Sequence, residues 1–137
     1  MVRPIVTDIF SLNRRSAPAG REDLPTARDL LDTLAANLDR CVGMAANMIG
    51  VNKRIIAVIL GGVPVVMLNP VIVGRSPETY EAEEGCLSLS GVRKTTRHRS
   101  IEVTYQDMAL RTHRQTYSGL VAQIIQHEVD HCEGILI

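Results

Sequence analysis

Apolar residues recur at three- and four-residue spacing in two stretches of this chain. In the first, Leu24, Ala27, Leu30, Leu31, Leu34, Ala35, Leu38 and Cys41 share one stripe, which predicts an amphipathic helix. Asp23 with Pro25, or Thr26 with Asp29, supplies its start signal, because the first turn has free N–H groups to cap and tolerates proline. The second stretch runs from about Gly119 and aligns Leu120, Ile124, His127 and His131 on one face. Between the helices the helical spacing gives way to strand signals. Arg54 to Leu60 and Val63 to Leu68 are rich in Val and Ile, and Gly61-Gly62 between them predicts a two-residue hairpin turn. Ile101, Val103 and Tyr105 alternate with Glu102, Thr104 and Gln106, a half-buried strand, and its partner is expected around Leu110 to Tyr117. Residues 1 to 22, punctuated by Pro4, Pro18 and Gly20, are expected to be irregular. Without a repeat, low-complexity tract or linker, residues 1–137 are expected to form one domain. Strands gathered between two helices predict an α+β fold, with mainly antiparallel sheets packed around the C-terminal helix and one N-terminal helix.

Composition narrows the context. With 45% hydrophobic and 22% charged residues, 137 residues can bury a modest core. Fifteen Lys and Arg balance fifteen Asp and Glu, so net charge points to neither a nucleic acid nor an acidic membrane as partner. One local run, Arg93, Lys94, Arg97, His98 and Arg99, is basic. It reads as a solvated strand edge or loop, or as a receiver for an anionic or carbonyl-rich ligand. Cysteine numbers only three, and residues 1–8 hold no apolar core resembling a signal peptide. Free thiols in a reducing cytoplasm are therefore expected, available as ligands rather than disulfides. The longest nearly uncharged stretch, Ile55 to Pro77, is broken by Gly61-Gly62, Pro64, Pro70 and Arg75, so no membrane span is expected.

The chemistry is concentrated near the C-terminus, in His127-Glu128-Val129-Asp130-His131, an H-E-x-x-H pattern. On a helix the two imidazoles lie one turn apart on one face and can grip the same cation. Glu128 flanks that face, where it can take a proton from a water activated by the cation. The bland alternative is an amphipathic helix with two surface histidines. A catalytic site of this kind needs a third protein ligand and an open position for water. Cys132 and Glu133 rotate off the histidine face, and Gly134 and Ile135 cannot ligate, so the third ligand must come from upstream. His98, His113, the Glu81–Glu84 cluster, Cys41 and Cys86 are chemically suitable. Cys41 falls at the end of the first helical stripe and Cys132 off the metal face, both read as packing residues. Cys86 follows Gly85, which permits close approach of the backbone. On spacing alone it stands level with the carboxylates and the other histidines.

Three segments together carry a family resemblance. Gly43-Met44-Ala45-Ala46-Asn47-Met48, Glu84-Gly85-Cys86-Leu87-Ser88 and Gln126-His127-Glu128-Val129-Asp130-His131 resemble the three motifs of the peptide deformylases, in the family's order and spacing. Leu68-Asn69-Pro70 and Gly91-Val92-Arg93 extend the likeness over nearly the whole chain from about residue 4. The resemblance implies removal of the N-formyl group from the initiator methionine of nascent polypeptides, with N-formylmethionyl peptides on ribosome-associated chains as partners and a cytoplasmic location. It implies one divalent ion, ferrous iron in the family, with zinc or nickel as possible replacements, held by Cys86, His127 and His131. Glu128 would be the general base and then proton donor to the amine, and the Leu87 backbone N–H would help bind the oxyanion. Val42, Leu120 and Ile124 would receive the methionine side chain, Gly43 would let the peptide approach as an added strand, and Arg93 would join the substrate contacts. A further arginine, Arg97, is expected to pair with Asp130 of the metal-binding helix.

The chain departs from the family pattern in three places. Met48 stands where the family has a Gln whose amide donates to the formyl oxygen, and a thioether cannot donate. The first motif opens with Cys41 where the pattern has Gly. The chain also ends six residues after His131, without the extension many members carry. An active deformylase is the leading expectation. A deformylase-like protein that binds metal and peptide but turns over slowly, or cleaves another small acyl-amide, is the alternative that Met48 favours. A structural or redox-sensing metal protein would leave Glu128 without a purpose.

Overall fold

In the computed structural model, which describes residues 1–137, the elements run α1 (Ile9–Leu12), α2 (Leu24–Ala36), β1 (Gly43–Ala45), β2 (Ile55–Leu60), β3 (Val63–Arg75), β4 (Thr79–Cys86), β5 (Leu89–His98), β6 (Ser100–Gln106), β7 (Thr112–Ser118) and α3 (Gly119–Cys132). Short 3-10 turns cover Arg21–Asp23 and Ala46–Ile49. One sheet has the order β1-β2-β3-β6-β7, the other is the hairpin β4-β5, and every ladder is antiparallel. The α+β architecture expected from the periodicities is the one observed.

The five-stranded sheet lies between α2 and α3, and β2 shows why. Its side chains alternate in direction. Ile55 and Ala57 join Leu12, Leu30, Leu34 and Leu68 in one apolar cluster, whereas Ile56 and Val58 join Ile101, Val103, Ile125 and Cys132 in the other. Both faces are covered, so β2 reads as an unbroken apolar run rather than an alternating one. The β2–β3 hairpin turns at Gly61-Gly62, with φ 56° and 81°, the left-handed pair a two-residue turn requires. In β6 one face is buried and the other is not, as its alternation predicts.

Four features differ from expectation. Helix α2 stops at Ala36 because the Asn37 side chain donates to the Thr33 carbonyl and the next N–H groups fold back onto the Asn37 carbonyl. Leu38 is consequently exposed, and Cys41 leaves the stripe altogether. Asp23 does not cap α2; its carboxylate accepts from the Gly20 N–H and closes the preceding 3-10 turn. The N-terminal segment is less irregular than its prolines suggest, since Asp8 accepts from Phe10 N–H and starts α1. The basic run from Arg93 to His98 lies on β5, the longer strand of a hairpin whose register sets opposite charges across from one another: Glu83 faces Lys94 and Glu84 faces Arg93.

Candidate active site

Helix α3 is buried along most of its length, including the polar side chains Gln126, His127, Glu128 and His131. Burying such groups is unfavourable unless each finds a partner. Gln126 solves this by exchanging hydrogen bonds with the backbone of His98 on β5, accepting at Oε1 and donating from Nε2, both at 2.9 Å. That amide fastens the hairpin to the helix. Cys86, the last residue of β4, is thereby brought over α3 at the point where the hairpin register shifts between Gly85 and Cys86.

Cys86 Sγ and ring nitrogens of His127 and His131 lie within 4.8 Å of one another, the one such group in the chain. The two Nε2 atoms face each other at 3.2 Å. Two imidazole lone pairs held that close repel unless a proton or cation lies between them. For comparison, nitrogens on one tetrahedral zinc-type ion stand about 3.3 Å apart. The donor set, one thiolate and two imidazoles, thus fits a divalent ion and leaves one position open. Of the other candidates, His98 Nδ1 is occupied by the Ser76 carbonyl and His113 by Asp107. Cys132 is packed in the core, where burial pushes its thiol up to about 12. Cys41 packs against the core cluster as a half-buried residue and also stands on the wall of the site cavity, and burial with the nearby Glu128 carboxylate pushes its thiol up to about 11.

Behind His127 runs an ionic brace, while His131 Nδ1 is buried without a protein partner. His127 Nδ1–H donates to Glu84 Oε1 at 2.8 Å, which fixes the tautomer and leaves Nε2 free to ligate. Glu84 also accepts from Arg97 Nη2 at 2.6 Å and from Gln123 Nε2 at 2.9 Å. Arg97 then reaches Asp130 Oδ2 through Nη1 at 2.6 Å. The anticipated Arg97–Asp130 pair is present, as one arm of a larger network. Burial opposes the Glu84 charge, but the bonds from His127 and Arg97 outweigh it and hold the carboxyl down at about 2. Burial likewise opposes charge on His127, yet its bonds with Cys86 and Glu84 lift the imidazole to about 10. His131 is driven the other way, to about 3, by burial and by the charge on His127. Glu84 and Asn47 lie within the motifs, but their contacts are not written there, and Gln123 carries no sequence signal: their roles depend on what the fold sets beside them.

In front of the imidazoles lies a cavity of about 580 Å³. Val42, Gly43, Met48, Leu87, Leu120, Ile124 and Glu128 are on its wall, with Cys86 and His127. Arg93 is not. Its guanidinium reaches the Ser90 carbonyl of its own hairpin, at 3.4 Å. Gly43 is required by space: a Cβ there would meet Ile124 Cγ2 at 2.6 Å and Glu128 Oε2 at 2.9 Å. Glu128 is buried, its Oε1 has no protein partner, and burial raises it to about 7. Met48 Sδ accepts weakly from the Ala45 N–H at 3.4 Å, closing its own 3-10 turn. Neighbouring Asn47 points away, donating to the His131 carbonyl at 2.9 Å. Beside the cavity, β1 pairs with β2 alone and leaves a free sheet edge.

The sequence profile described as polypeptide deformylase matches residues 7–137. A peptide deformylase of Clostridium beijerinckii is 53% identical over 137 residues, all of this chain and all of that protein. Among solved structures, a peptide deformylase from Thermotoga maritima has TM-score 0.87 and 31% identity over 99% of this chain and 94% of its own. A class I type b peptide deformylase from Acinetobacter baumannii, bound to Met-Ala-Ser, has TM-score 0.89 and 30% identity over 99% of this chain and 97% of its own.

Proposed function

The chain belongs to the peptide deformylase family, and we propose that it removes the formyl group from formyl-methionyl peptides at the site built by Cys86, His127, His131 and Glu128. The observation that carries this reading is the pair of opposed Nε2 atoms beside a buried, unpartnered carboxylate. A divalent ion held by Cys86, His127 and His131 would supply Lewis acidity for the formyl carbonyl and a lowered pKa for water there.

The residues of the chain then act in sequence. A peptide laid along the free edge of β1 presents its formyl carbon to Glu128 and its first side chain to Val42, Leu120 and Ile124. Glu128, poised near neutrality by burial, takes the proton of the attacking water. As a bond forms between the water oxygen and the formyl carbon, the Leu87 N–H donates to the oxygen that becomes negative. Glu128 passes its proton to the amine nitrogen as the carbon–nitrogen bond breaks, releasing formate and a free N-terminus. The small space between Gly43, Leu87 and Glu128 favours a formyl group over larger acyl groups.

Ferrous iron would be the ion in the cell, and zinc or nickel could replace it during isolation because both bind such sites more tightly. Residues 1–137 act as one domain in the cytoplasm, on nascent chains at the ribosome. Met48 favours a second reading, in which metal and peptide bind but turnover is very slow. Formate release from formyl-Met-Ala-Ser by anaerobically iron-loaded protein decides between them. Turnover that Glu128→Ala abolishes supports the first; tight peptide binding with no formate above the Glu128→Ala background establishes the second and ends the first.

A further inference from the structure

Gln123 stands on a wall shared by two cavities. One is the reaction cavity; the other, of about 520 Å³, lies beyond Leu120 and Gln123 and includes Tyr80 and Arg99. Chemistry fixes the orientation of the Gln123 amide. A carboxylate only accepts, so the nitrogen end faces Glu84 Oε2 at 2.9 Å, and the Tyr80 hydroxyl donates to Gln123 Oε1 at 3.2 Å. One Nε2 hydrogen is used by Glu84, and the other has no partner in the protein. Glu84 takes this bond on one oxygen and His127 Nδ1–H on the other. Gln123 also precedes His127 by one helical turn, on the same face. It therefore touches the side-chain pocket on one side and, through a single carboxylate, the imidazole on the other.

We propose that Gln123 is a specificity-determining residue that reads the tip of the substrate's first side chain, favouring a hydrogen-bond acceptor over a plain alkyl end, while positioning Glu84 against His127. This deepens the proposed function and rests on it. Leu120 and Ile124 alone would treat a thioether and a methylene alike. A spare amide N–H in the wall does not, because an alkyl tip strips its water and returns nothing. A thioether sulfur accepts weakly and a sulfoxide oxygen strongly. The ranking at equal length is thus methionine sulfoxide, then methionine, then norleucine.

The test uses the metal-loaded full chain and three formyl tripeptides that differ only in that first residue. In the wild type, kcat/KM for methionine sulfoxide should exceed that for norleucine by roughly 3- to 10-fold, the fold-change of one neutral hydrogen bond, with methionine between them. Gln123→Leu should bring all three within about twofold of one another. Tyr80→Phe, which lies outside the reaction cavity and frees the amide to turn, should give an intermediate spread. Calorimetric binding of the three deformylated tripeptides should show the same order in the wild type and its loss in Gln123→Leu, which keeps the test open if turnover is slow. The positioning role has its own readout: the visible absorption bands of the cobalt-loaded protein should shift in Gln123→Leu, as Glu84, left with Arg97 alone behind it, moves against His127. A flat ranking in the wild type, or a wild-type ranking retained by Gln123→Leu, overturns the specificity claim; unmoved cobalt bands overturn the positioning claim. Absence of formate from formyl-Met-Ala-Ser with the wild type is a different failure, that of the proposed reaction.

Discussion

The two walls that meet at the reaction cavity are built with opposite resources. On the wall of α3 and the β4–β5 hairpin, His127 is braced from behind: Glu84 accepts from His127, Gln123 and Arg97, and Arg97 continues to Asp130, while His131 Nδ1 is buried without a protein partner. On the wall of the first motif, Met48 offers a thioether already occupied by its own turn, and Asn47 is committed to the His131 carbonyl. The position of His127 is over-determined on the first wall, whereas charge stabilisation is thin on the second. Placing metal ligands and stabilising a transition state are thus separate tasks for this fold, and substitutions on the two walls should fail in different ways.

The largest effect is expected on the braced wall. Cys86→Ala removes the sulfur from a three-donor set, and two imidazoles that repel across 3.2 Å cannot retain the ion alone. Stoichiometric metal at neutral pH should be lost and formate release with it, read by elemental analysis after gel filtration. Full metal content in that variant would move the third-ligand role to another residue, and the contrast between the walls would dissolve.

Arg97→Met strikes the brace rather than the ligands. Arg97 is 4% exposed and Glu84 7%, so the change leaves a buried carboxylate without its cation. Breaking such a pair typically destabilises by about 3–5 kcal/mol, measured here as a drop in urea midpoint. The pH dependence should change as well. Glu84 sits at about 2 in the folded chain against an ordinary 4.5, so its contribution is complete above about 4.5 and is lost as pH falls towards 2. Without Arg97 the folded value rises towards the unfolded one, and that acid-side loss should shrink. An unchanged urea midpoint would show that the brace adds nothing to stability.

How much of this was legible beforehand follows from what each segment buries. Segment β6 and the β2–β3 hairpin announce themselves because alternation and a Gly-Gly turn report burial directly. Helix α3 shows in the H-E-x-x-H spacing as well as in its apolar stripe. The β4–β5 hairpin was missed because its period is written in charge: Glu83 against Lys94 and Glu84 against Arg93 look like a solvated run until the two strands are laid together. That same hairpin carries Cys86, so spacing alone left the third ligand open and the family resemblance was needed to choose it. Cys41 was misplaced because a hydrophobic stripe does not report where a helix stops; the Asn37 amide ended it.

The smallest effect, and the one that separates the walls most cleanly, is expected at Met48. The residue is buried and unbranched, and its sulfur makes one weak bond to the Ala45 N–H, which a glutamine Oε1 can replace. Gln and Met have similar length and flexibility, so Met48→Gln should fit with little repacking and leave metal content unchanged. Its Nε2 then supplies a donor to a cavity wall where only the Leu87 N–H is otherwise assigned to the oxyanion. Because that donor meets full negative charge only in the transition state, the gain should appear in kcat more than in KM. Formate release should rise about 10-fold to 10³-fold, the range associated with one oxyanion donor. Glu128→Ala should abolish activity in both backgrounds while the metal stays bound, which keeps the added amide distinct from the base. If kcat is unmoved at matched metal content, the Met48 wall lacks nothing that chemistry needs, and the contrast with the braced wall is one of architecture alone.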